Sequence, residues 1–265
     1  VGDSESLARI QVANLPADRA LAEGYRRNNS GDYSEAAVFF EALERRVDNG
    51  GMGVDPTEFT LNRALQLSNL GAFREADRLF ALVDSSPTLD IVQLRLRRNF
   101  KAIHALNQRD LQGVLQILST PLPPIPVEQV QDGTRLRITP AIASGINSDA
   151  GTRILSQLTG ETRLTPQERA ELIDAQADQL RGTALRLTGD LAGSRTAIES
   201  AIARALAVRN GRVTSAIRFR SQAMGELALA EEDDGHLAAA EQILRDALTL
   251  VQTEYPETLA LASAQ

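Results

Sequence analysis

The chain has 265 residues, of which 43% are apolar and 24% are charged, and its formal net charge is -7. The absence of cysteine excludes disulfides, thiolate metal ligands and a cysteine nucleophile. The negative charge gives no general attraction to nucleic acid or to an anionic membrane, and no apolar stretch approaches the ~20 residues that span a bilayer. We therefore expect a soluble protein, cytoplasmic or periplasmic, that binds neither nucleic acid nor a membrane.

One pattern recurs along the chain. It consists of a turn residue, an apolar residue two positions later, a small residue three after that and a large apolar residue four further on. The turn residue of each copy, here called the turn marker, is Gly31, Gly71, Arg109, Gly189 or Gly235. Because self-similarity with a period of about 40 residues is typical of stacked helical repeats, the sequence predicts an all-α fold. The specific prediction is an α-solenoid of stacked antiparallel helix pairs, with about five repeats and a degenerate insert.

The first two units show the helical pattern most clearly. A helix is predicted over Ala20–Arg27, ahead of the first marker. After that marker come apolar residues at the i, i+3, i+4, i+7 spacing of one helix face, namely Ala36, Phe39, Phe40 and Leu43. The second unit opens with Asp55-Pro56-Thr57-Glu58, where Asp55 and Glu58 form a predicted capping box around a first-turn proline.

The third unit runs from about Asp90 to Ser119, and the region after it departs from the pattern. The interval between the markers at 109 and 189 is twice the usual one, which indicates a degenerate or inserted unit. The run Pro121–Pro126 cannot be helical. Val127–Ile138 predicts either a small hairpin around Asp132-Gly133 or a loop. Short helices are predicted over 139–147 and 151–158.

The helical pattern resumes with a second capping box, Thr165-Pro166-Gln167-Glu168. The segment Pro256–Gln265 resembles the first helix of a sixth unit, which suggests a chain cut from a longer protein. The predicted organisation is thus three units over 1–119, an irregular or degenerate insert over 120–160, and further units over 161–265 with the last one truncated.

This pattern resembles the tetratricopeptide repeat, in which small residues let two helices approach and large ones fill the space between pairs. The second unit carries the fullest match, at Ala64, Leu67, Gly71, Phe73, Ala76, Phe80 and Pro87. The family's tryptophan is absent throughout, and the third unit lacks its turn glycine. The resemblance implies a right-handed superhelix whose first helices line a concave groove that binds a peptide.

A closer resemblance is to the repeat region of bacterial proteins that carry a CHAT domain, a caspase-like protease domain. It rests on Leu61–Gly71, Arg97–Phe100, His104–Gln108 and Leu164–Ala177. A caspase-like dyad needs a cysteine, and this chain has none. The resemblance therefore implies a recognition or regulatory arm without its catalytic part.

Three asparagines take the same place in their repeats, two residues before the turn marker: Asn29, Asn69 and Asn107. This equivalence favours helix ends, because asparagine commonly ends helices. A ladder of amides that grips a peptide backbone is the alternative. Asn62 falls at the position from which the tetratricopeptide family often binds its peptide.

A basic cluster occupies the first helix of the third unit, at Arg95, Arg97, Arg98, Lys101 and His104. It indicates either a solvated face paired with nearby acids or a patch for an acidic peptide or a terminal carboxylate. The acidic run Glu231–Asp234 indicates a solvated helix end. Because the two histidines lie in different units, no zinc site is expected.

These observations predict a non-enzymatic scaffold that binds a protein or peptide, with an acidic partner as one candidate, without a cofactor or metal. The predicted peptide-binding residues are Asn62, Asn69, Arg97, Lys101 and His104. The alternative function is the regulatory arm of a CHAT-type protease whose catalytic domain lies beyond the C-terminus. Self-association through the terminal helix is a third expectation.

Overall fold

The computed structural model describes residues 23–24, 26–28, 31–48, 56–86, 89–125, 164–211 and 213–254. Within these residues the regular structure is entirely helical, so the all-α prediction is confirmed. The α-helices are α1 (Tyr33–Asp48), α2 (Thr57–Asn69), α3 (Phe73–Asp84), α4 (Ile91–Asn107), α5 (Leu111–Ser119), α6 (Pro166–Thr188), α7 (Leu191–Ala207), α8 (Thr214–Asp233) and α9 (Leu237–Glu254). A 3-10 helix, Val208–Gly211, follows α7. Of the described helices, none combines the length and apolar character that crossing a membrane requires.

All five turn markers lie in left-handed backbone conformation. Their φ angles are 80° at Gly31, 77° at Gly71, 62° at Arg109, 91° at Gly189 and 80° at Gly235. Each marker donates its N–H to the carbonyl three residues before it, and the next residue donates to the carbonyl five before. At the third turn these bonds are Arg109 N to Leu106 O and Asp110 N to Ala105 O, both 2.9 Å. This is the Schellman closure of a helix, and it confirms the five predicted turns.

The two predicted capping boxes have different outcomes. At α6, Thr165 N donates to Glu168 Oε2 over 2.8 Å and Glu168 N donates to Thr165 Oγ1 over 3.1 Å, so this box is confirmed. α2 begins at Thr57, and its N-cap residue, Pro56, makes no side-chain capping hydrogen bond. Asp55, the predicted cap, lies outside the described residues.

The repeat positions are buried in a consistent way. The small residue five after each marker is buried in every copy: Ala36, Ala76, Val114, Ser194 and Ala240. The large apolar residue nine after the marker is buried in four copies: Phe40, Phe80, Leu118 and Ile198. Close approach is required at Gly24, where an added Cβ would lie 2.4 Å from Cζ of Phe40. The fifth copy differs, because Leu244 is exposed.

Contacts group the chain into two compact units. Unit 1 comprises residues 1–122 and 180–194, and within it α2 packs against α1, α3 and α4, and α4 also packs against α3 and α5. Unit 2 comprises residues 123–179 and 195–265, and within it α8 packs against α9 and the 3-10 helix. The helices thus pack as adjacent antiparallel pairs joined by the closures described above.

One ion pair in unit 1 is largely withdrawn from water. Arg63 on α2 donates to Glu44 Oε2 on α1 over 2.8 Å. Burial raises the pKa of Glu44 above its ordinary value of 4.5, although the Arg63 guanidinium opposes that shift. The other carboxylate oxygen, Oε1, is buried and has no hydrogen-bond partner within the part of the chain that the structure describes.

The predictions outside the regular helices can be checked only in part. Pro121–Ile125 lies within the described residues and is non-helical, as predicted for a proline-rich run. The predicted hairpin over 127–138, the short helices over 139–147 and 151–158, and the helix over 256–265 lie outside the described residues. Asn29 also lies outside them.

Candidate functional site

The predicted binding residues concentrate on α4, whose start is fixed by a capping box that we did not predict. Asp90 Oδ1 accepts from the backbone N–H groups of Val92 and Gln93 at 2.8 Å, and Asp90 N donates to Gln93 Oε1 at 3.0 Å. Since these bonds satisfy the free amides of the first turn, they set where the later residues of α4 face. Most of the helix is enclosed, because α2, α3 and α5 all pack against it.

The two predicted cationic residues share one carboxylate. Lys101 Nζ lies 2.6 Å from Asp84 Oδ2, and an Arg97 terminal guanidinium nitrogen lies 3.5 Å from Asp84 Oδ1. Asp84 is the last residue of α3. The charge of the predicted basic patch is therefore partly neutralised by an acid of the same chain at a partly exposed site, and this agrees with pairing to nearby acids.

The buried side chain of His104 lies at the centre of a hydrogen-bond network that reaches exposed residues. Its Nδ1 lies 2.9 Å from Oγ of Ser68 on α2, and its Nε2 lies 3.0 Å from Oδ1 of Asp77 on α3. The side-chain amide nitrogen of Gln108 is 2.7 Å from the same Nε2. The imidazole ring also packs edge-on against Phe73, with ring centroids 5.6 Å apart, and in a tilted arrangement against Phe80, with centroids 5.4 Å apart. His104 thus joins α2, α3 and α4.

The Ser68–His104–Asp77 arrangement contains the residue types of a hydrolase triad, but it lacks access. Ser68 is 1% exposed, and its Oγ also accepts a hydrogen bond of 2.9 Å from the amide of Asn107. A nucleophile must approach its substrate within about 3 Å. The buried serine cannot do so in this geometry, and the network is better explained as a connection between helices.

The two described asparagines that lie two residues before a marker end their helices. Asn69 is the last residue of α2, and Asn107 is the last residue of α4. Asn107 Nδ2 donates to Asn69 Oδ1 over 3.0 Å, so the two amides contact each other across neighbouring repeats. Asn62 does not join this network. It is 1% exposed, and its amide donates to Glu58 O over 2.7 Å.

A pocket of about 310 Å³ opens between α3, α4 and α5, and we call it the acidic pocket. His104, Phe80 and Lys101 are among its lining residues. Three carboxylates line it, from Asp77, Asp84 and Asp110, against the one ammonium of Lys101. Asp110 also caps α5 by accepting from Gly113 N over 2.9 Å.

A second pocket, of about 450 Å³, lies on the other side of the α4–α5 turn, and we call it the leucine pocket. Leu106, Leu111 and Leu187 supply its apolar walls, and Asn107 and Arg109 supply polar groups. Residues 108 and 110 line the acidic pocket, whereas 107, 109 and 111 line this one. The turn therefore separates two pockets of different chemistry within unit 1.

The acidic run Glu231–Asp234, at the end of α8, forms ion pairs with an arginine on another helix of unit 2. Arg195 on α7 donates to Glu231 and to Asp234, and His236 Nδ1 lies 2.8 Å from Glu231 Oε2. Hydrogen bonding to Arg195 lowers the pKa of both carboxyl groups. Among the described residues, no group of three metal-ligating side chains could hold an ion.

Comparison with known protein families, with curated proteins and with solved structures finds no match to this chain. The resemblances to the tetratricopeptide repeat and to the CHAT-associated repeats therefore stay predictions.

Sequence reasoning found Arg97, Lys101 and His104 but missed the acids that face them. The i, i+4, i+7 spacing of those three residues marks one stripe of α4. Asp77 and Asp84 are seven apart on α3 and form a facing stripe. A search for opposite charges at matching helical spacing on successive helices would have found this pairing.

Proposed function

We propose that this chain is a non-catalytic helical-repeat protein that binds a protein or peptide, with its helix pairs stacked as a right-handed solenoid of the tetratricopeptide kind. The observation that carries the proposal is the five-fold recurrence of one turn geometry, in which the residue five after the marker is buried in every copy and the residue nine after it in four. Repeated helix pairs form extended surfaces that suit an extended partner. The inaccessibility of Ser68 supports a role in binding over hydrolysis.

The partner is proposed to cross the α4–α5 turn and to occupy both pockets of unit 1. An apolar side chain suits the leucine pocket, because three leucines form its walls. A basic side chain suits the acidic pocket, where three carboxylates face one ammonium. The acidic partner expected from the sequence would instead have to displace Asp84 from Lys101. One experiment can test both a basic and an acidic partner.

The experiment selects binders from a random peptide library displayed on phage and measures their affinity for three variants. Asp77→Lys should weaken a basic peptide by about tenfold, and Lys101→Glu should weaken an acidic one by a similar factor. Glu199→Lys, an exposed charge reversal in unit 2, serves as the matched control. Selection of no peptide, or binding that neither pocket variant changes, would contradict the proposal.

The alternative role, as the regulatory arm of a CHAT-type protease, stays a prediction because no contact among the described residues favours it. The coding sequence beyond residue 265 tests it. A CHAT domain in the same reading frame would support the regulatory role.

A further inference from the structure

The second helix of the last repeat, α9, exposes apolar residues at positions that are buried or half-buried in the other repeats. These residues form the apolar stripe of α9. Nine residues after the marker, Phe40, Phe80, Leu118 and Ile198 are at most 3% exposed, whereas Leu244 is 52% exposed. Two residues after the marker, the other copies are half-buried, whereas Leu237 is 66% exposed. The same sequence pattern therefore has a different environment on α9.

Unit 1 provides an example of how such a stripe is covered. On α3 the corresponding residues are Phe73 and Phe80, and the ring of His104 on α4 packs against both. A neighbouring helix thus normally fills this position. α9 packs against α8 through the adjacent face, where Val251 meets Ile217 of α8 and where Ala240 and Ala247 are also buried.

We propose that the stripe on α9 binds the same stripe of a second copy of this chain, with the two α9 helices antiparallel. Leu237, Leu244 and Leu248 lie at i, i+7 and i+11, within about 40° on one side of the helix. A two-fold axis that crosses the stripe at the axial level of residue 243 brings Leu237 next to Leu248 of the copy and Leu244 next to its own equivalent. The offsets along the helix axis are about 1.5 Å and 3 Å, so all three leucines meet leucines.

Charge complementarity selects this arrangement. Glu241 and Arg245 lie beside the stripe, on the same flank, and their side chains are 64% and 68% exposed. Within one chain they form a 2.5 Å pair. With the two-fold axis at the axial level of residue 243, Glu241 lies level with Arg245 of the copy on the same flank. The symmetric pair, Arg245 with Glu241 of the copy, forms as well. A parallel two-fold pairing would instead place these residues on opposite flanks of the contact, where neither pair between the copies could form.

The contact is small, so the dimer is weak. One face of one helix buries less than the ~1,200 Å² of a standard stable interface. We therefore expect a monomer of 28.6 kDa at low concentration and an increasing dimer fraction toward about 1 mM.

Sedimentation equilibrium tests this contact. The wild-type protein should approach twice its monomer mass, and the double variant Leu237→Gln/Leu244→Gln should stay monomeric. Leu229→Gln, at a 40% exposed leucine of α8, is the matched control and should dimerise like the wild type. A wild-type protein that stays monomeric at every concentration overturns the proposal, and so does a dimer that persists in the double variant.

Two further variants test the antiparallel register. Glu241→Arg alone should weaken the dimer about tenfold, and adding Arg245→Glu should restore it, because the pairs re-form with opposite polarity. Since the chain has no cysteine, Leu244→Cys should give a disulfide-linked dimer under oxidation, whereas Leu229→Cys should not. Failure of the charge swap to restore dimerisation, or equal cross-linking by both cysteine variants, overturns the register. None of these outcomes depends on whether a peptide binds unit 1.

Discussion

Arg109 occupies a left-handed position that the other four turn markers fill with glycine, so Arg109→Gly should stabilise the protein. Its φ angle is 62°. For a residue with a Cβ, this conformation costs roughly 1–2 kcal/mol. Glycine removes that strain but adds roughly 0.5–1 kcal/mol of backbone entropy to the unfolded chain. The expected net gain is about 0.5–1 kcal/mol in the free energy of unfolding.

The reverse change provides a matched comparison. At Gly71, where φ is 77°, an added Cβ would meet nothing within 4 Å. Gly71→Ala therefore introduces backbone strain without a steric clash, and it should destabilise the protein by about 1 kcal/mol. Arg109→Ala removes the side chain but keeps the strain, so its stability should equal that of the wild type.

Urea unfolding followed by helical circular dichroism measures all three variants, with the free energy taken from the midpoint at constant slope. The reasoning would be refuted if Arg109→Gly were no more stable than Arg109→Ala. It would also be refuted if Gly71→Ala unfolded at the wild-type midpoint.

Other substitutions test packing and electrostatics in unit 1 by the same assay. Gly24→Ala should destabilise by about 1–3 kcal/mol, because the new methyl group collides with the buried ring of Phe40; wild-type stability would contradict that contact. Gln66→Met should stabilise by about 1 kcal/mol, because Gln66 is fully buried and neither atom of its amide has a partner among the described residues. His104→Ala should destabilise by about 2–4 kcal/mol through lost packing and hydrogen bonds. Glu44 has a raised folded-state pKa, so the wild type loses stability as the pH rises above about 4.5 through that pKa. Glu44→Gln should therefore become relatively more stable from pH 4 to pH 7, and a pH-independent difference between the two proteins would exclude this linkage.

The candidate site could be predicted from the sequence only in part. Lys101 and His104 line the acidic pocket, and Arg97 shares a carboxylate with Lys101. The sequence did not identify that carboxylate, Asp84, because it is 17 residues from Lys101 on another helix. Nor did it indicate that Asn62 is buried, because the repeat pattern marks a position in a helix but not which helices enclose it.

The sequence by itself determined the local geometry of this protein. A glycine at a helix end allows the left-handed closure without strain, and apolar residues at helical spacing define which face is buried. Both depend on residues close together in the chain, so the turns at Gly31, Gly71, Gly189 and Gly235 could be predicted correctly.

Only the tertiary structure decided what each face meets. Phe80 and Leu244 hold the same place in the repeat, yet one is enclosed by a neighbouring helix and the other is open to solvent. Arg109 adopts the glycine conformation although its side chain disfavours it, because the helices on either side of the turn must pack as a pair. Burial depends on contacts between residues that are distant in the chain. A local pattern that is repeated five times therefore does not indicate which copy has a neighbouring helix.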